Sequence, residues 1–241
     1  MKYNLIIPCF NKQNFILRCL ESCFNQTYKD YKVIFIDNES TDSSLEIVKQ
    51  FKINNNLDFV IDIAKNIYPR CWDECLYKAF EYLDGEYFTI IGADDYIDKD
   101  YIYNFNEWLK FKNEKILIAQ SSLYWMKNEE KVNEVTHQYF GIEDLKLKLS
   151  KGCYINSPTV FYNKSILDDN LFKTYPELYS GAADYDLYCQ LVDRNIYIEN
   201  IGQWIGYYYN INDQQATWQM HTDTLNYSNI IRKKWKTKWK I

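Results

Sequence analysis

The sequence contains little of what several protein classes require. Its 241 residues include only 7 glycines and 4 prolines, too few for the many tight turns of a repetitive all-β protein. No apolar run approaches the ~18 residues needed to span a membrane. The first run, residues 5–7, is also too short for a signal peptide. These absences favour a cytoplasmic protein, either soluble or bound peripherally to the inner face of a membrane.

Disulfide and metal-binding patterns are missing as well. The 7 cysteines form no CxxC pair, which argues against a zinc site or a disulfide framework and indicates reduced thiols. His137 and His221 stand far apart and predict no metal site.

Charge is distributed unevenly along the chain. The net charge is −5, but the last ten residues contribute +6 and leave −11 for the remainder. Such an acidic body is a poor nucleic-acid binder, so we expect no nucleic-acid partner.

Apolar and aromatic residues are plentiful and follow an α/β pattern. Apolar residues make up 47% of the chain, with 13 Phe, 23 Tyr and 7 Trp, enough to fill a substantial core. Strands are predicted at residues 3–8, 33–36, 59–63, 87–91 and 116–119, and helical spacing begins near residues 14, 45, 72 and 100. This alternation predicts a mostly parallel, Rossmann-like sheet flanked by helices.

Beyond residue 121 the alternation stops. Helical patterns remain near residues 142–149 and 185–192, and short aromatic strands are predicted near Tyr197 and Tyr207. Because no linker or repeat is visible, we interpret this half as an α+β extension of the sheet. We therefore expect one domain over residues 1–215, divided into halves 1–120 and 121–215, followed by a basic amphipathic tail over residues 216–241.

Three predicted strands of the first half end in residues that suit a ligand. Phe10 and Asn11 follow the first strand, Asp37 ends the second, and Asp94 and Asp95 follow the fourth. In a parallel sheet these ends share one edge, where such folds bind ligands. An aromatic ring can stack on a base, a carboxylate can accept a ring N–H, and an acidic pair can hold a cation with a diphosphate. Taken singly, each has a structural alternative as core residue, turn former or helix cap.

These strand ends and their flanking motifs resemble the inverting GT-A glycosyltransferases of family 2. The matching stretches, within residues 3–210, are Ile-Ile-Pro-Cys-Phe-Asn at 6–11, Asn-Gln-Thr-Tyr at 25–28, and the segments 33–42 and 85–95. The resemblance implies a GT-A domain that binds a nucleotide-sugar, usually a UDP-sugar, with Mn²⁺ or Mg²⁺. It also implies transfer of the sugar, with inversion, to a hydroxyl group of a glycan or a lipid-linked acceptor.

The resemblance assigns roles to individual residues. The donor-binding residues would be Pro8, Phe10, Asn11, Asp37, Asn38, Arg70 and Asp94. Phe10 would stack on the base, Asp37 would bind the uracil, and Asp94 would lie near the ribose or the metal. Asp95 would ligate the metal, and Gly92 stands where many members carry a first aspartate.

In the second half, residues 180–188 resemble the family stretch in which an acidic residue opens a helix and acts as general base. Asp184 matches that base. Because Ala183 replaces the acidic residue that often precedes it, Asp186 on the acceptor side stays open as an alternative base. Ser157 lies in a turn that matches the family stretch on the acceptor side and would shape that pocket, with a plain turn as its structural alternative. Asp184 would take the proton from an acceptor hydroxyl that displaces the nucleoside diphosphate. Its structural alternative is an N-cap.

The C-terminal tail carries a separate pattern. Tyr227, Ile231, Trp235 and Trp239 recur every four residues on one helical face, and lysines cover most of the rest. One interpretation is peripheral contact of residues 227–241 with an anionic membrane, which suits a lipid-linked acceptor. The other is that the tryptophan face packs on the body of the protein.

Two other functions remain open from the sequence. A nucleotidyltransferase would normally carry a Gly-rich phosphate loop after the first strand, and residues 8–11 do not form one. A non-catalytic sugar-nucleotide-binding or membrane-associated relative stays open because acids are missing at Gly92 and Ala183. The Asn-, Lys-, Tyr- and Ile-rich composition is typical of AT-rich bacterial genomes, which fits cell-surface polysaccharide assembly by association only.

Overall fold

The computed structural model of the chain describes residues 1–68, 71–112, 115–213, 215 and 226–241. Its strands in chain order are β1 (Tyr3–Cys9), β2 (Tyr31–Asp37), β3 (Val60–Ile63), β4 (Tyr87–Ile90), β5 (Tyr96–Ile97), β6 (Ile118–Lys127), β7 (Glu130–Val135), β8 (Phe161–Asn163) and β9 (Glu199–Asn210). Its α-helices are α1 (Ile16–Phe24), α2 (Ser44–Asn54), α3 (Asp73–Phe80), α4 (Tyr101–Lys110), α5 (Gly141–Leu149), α6 (Ser165–Asp168), α7 (Pro176–Tyr179), α8 (Ala183–Asp193) and α9 (Tyr227–Trp239).

One mixed sheet contains these strands in the order β3-β2-β1-β4-β8-β6-β9-β5, with β7 paired to β6. Strands β1 to β4 of the first half run parallel to one another, whereas the short β5, also in that half, pairs antiparallel with β9. The second half adds β8 antiparallel to β4, β6 antiparallel to β8, and β9 parallel to β6. The predicted α/β fold class is confirmed, and the antiparallel pairs all involve strands after β4.

The central strands are buried on both faces, because their side chains alternate between two cores. Leu5 of β1 packs in one core with Ile16 of α1. Its neighbour Ile6 packs in the other core with Leu76 of α3 and Leu187 of α8. Continuous apolar runs such as β1 and β2 are the expected sequence of strands that are covered by helices on both sides.

The second half departs from the predicted elements in one instructive place. The two short strands predicted near Tyr197 and Tyr207 are a single strand, β9, of 12 residues. Gly202 and Gly206 have positive φ angles of 73° and 121°, and the register between β6 and β9 shifts along their length. The glycines therefore mark irregularities inside a long strand, where the sequence pattern suggested a break.

The C-terminal helix α9 lies against the body of the protein. Ile231 and Trp235 are buried in the core that also contains Leu187 of α8. Of the two interpretations of the tail, the structure thus shows packing of the tryptophan face on the body. No helix in the described ranges combines the length and apolar character needed to cross a membrane.

Candidate active site

The polar strand ends predicted from the sequence lie at one edge of the sheet. Cys9 pairs with Asp37 in the parallel register of β1 and β2, and Ile6 pairs with Ile90 where β4 runs beside β1. The segments after β1, β2 and β4 therefore leave the sheet together. Open α/β sheets bind ligands at this edge, where the strand order reverses.

The loop after β1 carries an exposed aromatic ring followed by an asparagine that is fixed by hydrogen bonds. Phe10 is 38% exposed, whereas Pro8 is buried within the strand. Asn11 has a positive φ of 52°, and its Oδ1 accepts a hydrogen bond from the backbone N–H of Thr41 at 2.8 Å. Its own N–H donates to the Ser40 hydroxyl at 3.0 Å. Asn11 thus braces the loop after β2, and Phe10 is the side chain of the three that is open to a ligand.

Asp37 is buried at the end of β2 with half of its carboxylate engaged. Its Oδ2 accepts a hydrogen bond from the backbone N–H of Ser40 at 2.8 Å, while Oδ1 has no hydrogen-bond partner among the described residues. The neighbouring Asn38 is also buried and donates its amide to the carbonyl oxygen of Ala64 at 3.3 Å. A buried acceptor without a donor is costly, so Asp37 Oδ1 suits an N–H or O–H of a ligand.

Asp95 points into the protein. Its Oδ2 accepts a hydrogen bond from the Tyr207 hydroxyl at 2.7 Å, and its Oδ1 accepts one from the backbone N–H of Asn210 at 2.8 Å. Burial, and then the nearby charge of Asp94, raise the pKa of Asp95 well above its usual range. Both oxygens of Asp95 therefore hold β9 against the end of β4, and its role as the metal ligand stays a prediction.

Asp94 is the member of the pair that keeps contact with solvent. Its Oδ2 accepts a hydrogen bond from Lys12 Nζ at 2.8 Å and another from Asn212 Nδ2 at 2.9 Å. A Cβ atom at Gly92 would lie 2.6 Å from Asp95 Oδ2, so the packing here leaves no room for a third acidic side chain. The site therefore offers one accessible carboxylate with an ammonium group beside it.

This arrangement suits a divalent cation only together with a ligand's own oxygens. Within the described ranges no three His, Cys, Asp or Glu side chains converge on a point that could hold a metal ion. The ammonium of Lys12 stands beside Asp94 as a positive charge in contact with the carboxylate. Mg²⁺ commonly binds one or two carboxylates plus substrate phosphates, so Asp94 fits a cation that arrives with a diphosphate.

Asp184 and Ser157 meet at the same edge. Because β8 runs antiparallel to β4, with Phe161 opposite Thr89, the turn before β8 lies beyond the carboxyl end of β4. The Ser157 hydroxyl in that turn donates to Asp184 Oδ2 at 2.5 Å, and the backbone N–H of Tyr185 donates to Oδ1 at 2.7 Å. Burial raises the pKa of Asp184. A carboxylate with a raised pKa accepts a proton more readily.

The comparison with protein families decides the classification. Residues 4–171 match the model described as glycosyl transferase family 2. The chain belongs to glycosyl transferase family 2. The match covers the first half from residue 4 onward, the turn that carries Ser157, and β8.

Curated relatives of this family 2 chain include two with informative names. The poly(ribitol-phosphate) beta-glucosyltransferase of Bacillus spizizenii is 26% identical over 202 residues, which cover 83% of this chain and 30% of that protein. The UDP-Glc:alpha-D-GlcNAc-diphosphoundecaprenol beta-1,3-glucosyltransferase WfaP of Escherichia coli is 23% identical over 229 residues, 95% of this chain and 85% of that protein. The chain spans about a third of the length of the first three curated relatives that it matches.

Solved structures share the fold of this family 2 chain. S. aureus TarS 1-349 in complex with UDP-GlcNAc gives a TM-score of 0.72 at 18% identity, over 98% of this chain and 71% of that chain. A mannosyltransferase from Pyrobaculum calidifontis, in complex with GDP-Man and Mn²⁺, gives 0.65 at 16% identity, over 91% of this chain and 60% of that chain. At these identities the likeness shows the fold alone, which is GT-A-like.

The structure separates the two candidate bases of this family 2 protein. Asp186 lies about one turn after the start of α8 and is fully buried. Its Oδ1 accepts hydrogen bonds from Trp235 Nε1 at 2.7 Å and Lys234 Nζ at 2.8 Å, and its Oδ2 accepts one from Gln190 Nε2 at 3.0 Å. The predicted place of Asp186 on the acceptor side is therefore not supported, because its carboxylate anchors α9. The N-cap position of α8 is Ala182, so Asp184 is not the cap.

One acid beside this site was missed in the sequence. Asp73 opens α3, is buried, and keeps Oδ1 without a partner among the described residues. Burial, with a smaller contribution from the charge of Asp184, raises the pKa of Asp73 to about 6. The available signal was an acidic residue directly after Trp72, at the start of the cleanest amphipathic helix in the chain.

Two further residues considered in the sequence lie outside the described ranges. These are Arg70, which was predicted to bind the diphosphate, and His221. Lys12 was not singled out, because a lysine after Asn11 carries no pattern of its own. Its partner Asp94 lies 82 residues away, so only the fold brings them together.

Proposed function

We propose that this chain transfers a sugar from a nucleotide-sugar, with a UDP-sugar as the expected donor, to a hydroxyl group of a glycan or lipid-linked acceptor. One observation carries the proposal: among the described residues, Asp37 keeps a buried and unpartnered carboxylate oxygen at the edge where the loops after β1 and β4 emerge. The names of the relatives support it, since one acts on poly(ribitol-phosphate) and another uses UDP-Glc with a diphosphoundecaprenol-linked acceptor.

In the proposed complex the nucleoside lies across the ends of β1 and β2. Asp37 Oδ1 accepts the N3–H of uracil, and the exposed ring of Phe10 packs against the base. Pro8, buried in β1 two residues before Phe10, is proposed to line the same nucleoside pocket. Asn11 and Asn38 act indirectly, because their amides hold the two loops in place.

We assign the cation-facing role to Asp94 instead of Asp95. Both oxygens of Asp95 accept hydrogen bonds from β9 and Asp95 is buried, whereas Asp94 keeps contact with solvent. Mn²⁺ or Mg²⁺, bound there with the phosphates of the donor, would offset the charge that grows on the leaving diphosphate. Asp95 then keeps the end of β4 and β9 together beneath the site.

Asp184 is the proposed general base of an inverting displacement. Its carboxylate removes the proton of the acceptor hydroxyl as that oxygen forms a bond to the anomeric carbon. The bond from this carbon to the diphosphate oxygen breaks, and the nucleoside diphosphate leaves with the electron pair. Ser157, through its hydrogen bond to Oδ2, orients the carboxylate for this proton transfer.

Two broader expectations remain proposals. Residues 1–120 form the donor-binding half and residues 121–215 the acceptor half of one domain. The protein works in the cytoplasm, where a lipid-linked acceptor would be met at the membrane surface. With Ile231 and Trp235 buried, any such contact through residues 227–241 involves the lysines of α9 and not its tryptophan face.

Nucleotide selectivity tests the donor site directly. Uracil offers an N–H at position 3 and cytosine offers an acceptor there, so wild-type protein should bind UDP more tightly than CDP in calorimetric titrations. Asp37→Asn should weaken UDP binding by about tenfold and narrow the preference over CDP. A wild-type protein that binds neither nucleotide, or a variant with unchanged selectivity, contradicts the proposed site.

Turnover tests the reaction. A panel of UDP-sugars, incubated with Mn²⁺ or Mg²⁺ and with glycan or lipid-linked acceptors, should release UDP only with the matching pair. Stereochemistry at the anomeric carbon of the product then reports inversion. Donor binding without release of UDP from any member of the panel would favour a non-catalytic sugar-nucleotide-binding protein.

A further inference from the structure

Lys12 is a largely shielded ammonium group at the edge proposed for the diphosphate. Its Nζ lies 2.8 Å from Asp94 Oδ2, and the two side chains are only 14% and 12% exposed. The residue stands in the loop between β1 and α1, next to Phe10 and Asn11. A positive charge in this loop is within reach of any phosphate that binds a cation at Asp94.

The backbone of Lys12 is fixed on both sides. Its N–H donates to the Ser44 hydroxyl at 2.7 Å, and its carbonyl oxygen accepts from the N–H groups of Phe15 and Ile16, each at 2.9 Å. The four-carbon stem is therefore the part that can turn. Lysine, unlike arginine, places a compact point charge on such a flexible stem and commonly binds phosphate in that way.

One oxygen of Asp94 already has two donors in the structure. Oδ2 already accepts from Lys12 and from the Asn212 amide. Gly92 adds no acid, and both oxygens of Asp95 are held by β9. A divalent cation that arrives with a diphosphate thus meets an ammonium group on the one accessible carboxylate.

We propose that Lys12 exchanges partners when the donor binds. Without donor its ammonium neutralises Asp94; with donor it moves to an oxygen of the diphosphate and leaves Asp94 to the divalent cation. This proposal rests on the proposed function, because it requires a nucleoside diphosphate at this edge. No covalent bond changes in the exchange.

Linkage makes the exchange measurable. If Lys12 competes with the cation for Asp94, the cation alone binds weakly and the nucleotide strengthens it. By reciprocity, the cation strengthens nucleotide binding by the same factor. Removal of the ammonium should then move the two separate affinities in opposite directions, which simple loss of local structure does not do.

The test uses the full chain as wild type, Lys12→Gln and Lys12→Arg, with Lys52→Gln as control. Lys52 also pairs with an aspartate, Asp58, but near the end of α2. Calorimetry measures UDP binding in EDTA, and Mn²⁺ binding without nucleotide. Lys12→Gln should bind UDP about tenfold more weakly and Mn²⁺ several-fold more tightly. Lys12→Arg and Lys52→Gln should stay near wild type for UDP.

The possible failures are distinguishable. Wild-type protein that binds UDP while Lys12→Gln binds it equally well overturns the exchange and leaves the proposed function standing. A parallel loss of UDP and Mn²⁺ binding in Lys12→Gln, with an unchanged melting temperature, also overturns it. Wild-type protein that binds no UDP under any condition overturns the proposed function and the exchange together.

Discussion

Two lysine–aspartate pairs of equal separation lie in different regions of this molecule. Lys12 Nζ is 2.8 Å from Asp94 Oδ2 at the sheet edge, and Lys234 Nζ is 2.8 Å from Asp186 Oδ1 beneath α9. Asp186 is fully buried and also accepts the indole N–H of Trp235. Asp94 keeps contact with solvent. The distance between the two charges therefore does not set the role of such a pair. Its role depends on the solvent access of the carboxylate and on the other hydrogen-bond donors around it.

The largest expected effect separates the two acids of α8. Asp184→Asn should lower kcat by about 10²–10⁴-fold, because it removes the proposed base, and should leave UDP affinity unchanged. Asp186→Asn, in the matched position two residues later, should change kcat little in the protein that remains folded. UDP-release assays at saturating donor compare them. Equal losses of kcat in both variants would contradict the assignment of the base.

The next effect concerns stability. Asp186→Ala leaves the buried indole N–H of Trp235 without its acceptor and removes the partner of Lys234. Breaking a buried pair typically costs about 3–5 kcal/mol, and because Lys234 is 41% exposed we expect a value near the low end of that range. Asp94→Ala should cost less, about 1–3 kcal/mol, because Asp94 is partly exposed and no buried indole N–H loses its acceptor there. Urea unfolding measures both, and a reversed order would remove the distinction between the regions.

Asp73 sharpens the comparison because it is buried and pairs with no lysine of the described ranges. Its folded-state pKa of about 6 lies above the usual 3.8, so ionisation costs stability that is lost as the pH rises through about 6. Relative to wild type, Asp73→Asn should therefore gain on the order of 2 kcal/mol between pH 4 and pH 8. Unfolding curves at both pH values measure this difference. A difference that is independent of pH would show that Asp73 titrates normally.

The smallest effect belongs to an exposed pair on the same helix α9. Lys238 Nζ lies 2.6 Å from Asp193 Oδ2, with more than half of the lysine exposed, and Trp239 Nε1 also donates to Asp193. Lys238→Met should change the free energy of unfolding by about 0.5 kcal/mol or less. If Lys238→Met lowered the free energy of unfolding as much as Asp186→Ala in the same titration, the contribution of a pair would not depend on its burial.

The sequence predicted the first half well because its signals are local. Continuous apolar runs mark β1 and β2, and the acids at the strand ends follow them directly. Local signals cannot orient Asp94 and Asp95, since adjacent residues on an extended chain point to opposite sides. The partners that hold Asp95, Tyr207 and Asn210, lie 112 and 115 positions away. This orientation therefore required the fold.

The second half was harder to predict for a related reason. Apart from the β6–β7 hairpin, its antiparallel pairs join segments far apart in sequence. Gly202 and Gly206 also interrupt the pattern of β9 without ending the strand. The helix α9 was recognised from its four-residue repeat. Its choice of partner was not, because a basic amphipathic helix suits a membrane or a protein core until Asp186 and Asp193 are found beside its indole groups.

The close packing at Gly92 restricts how this site can evolve. Any side chain there would begin 2.6 Å from the Asp95 carboxylate, so one substitution cannot place an aspartate at 92 while Asp95 keeps its hydrogen bonds to β9. The two positions are therefore epistatic: an ancestor or descendant with an acid at 92 must have arranged residue 95, and the strand it holds, differently. A side chain at 92 therefore requires a change at 95 as well, and single substitutions that alter this site fall on other residues of the edge.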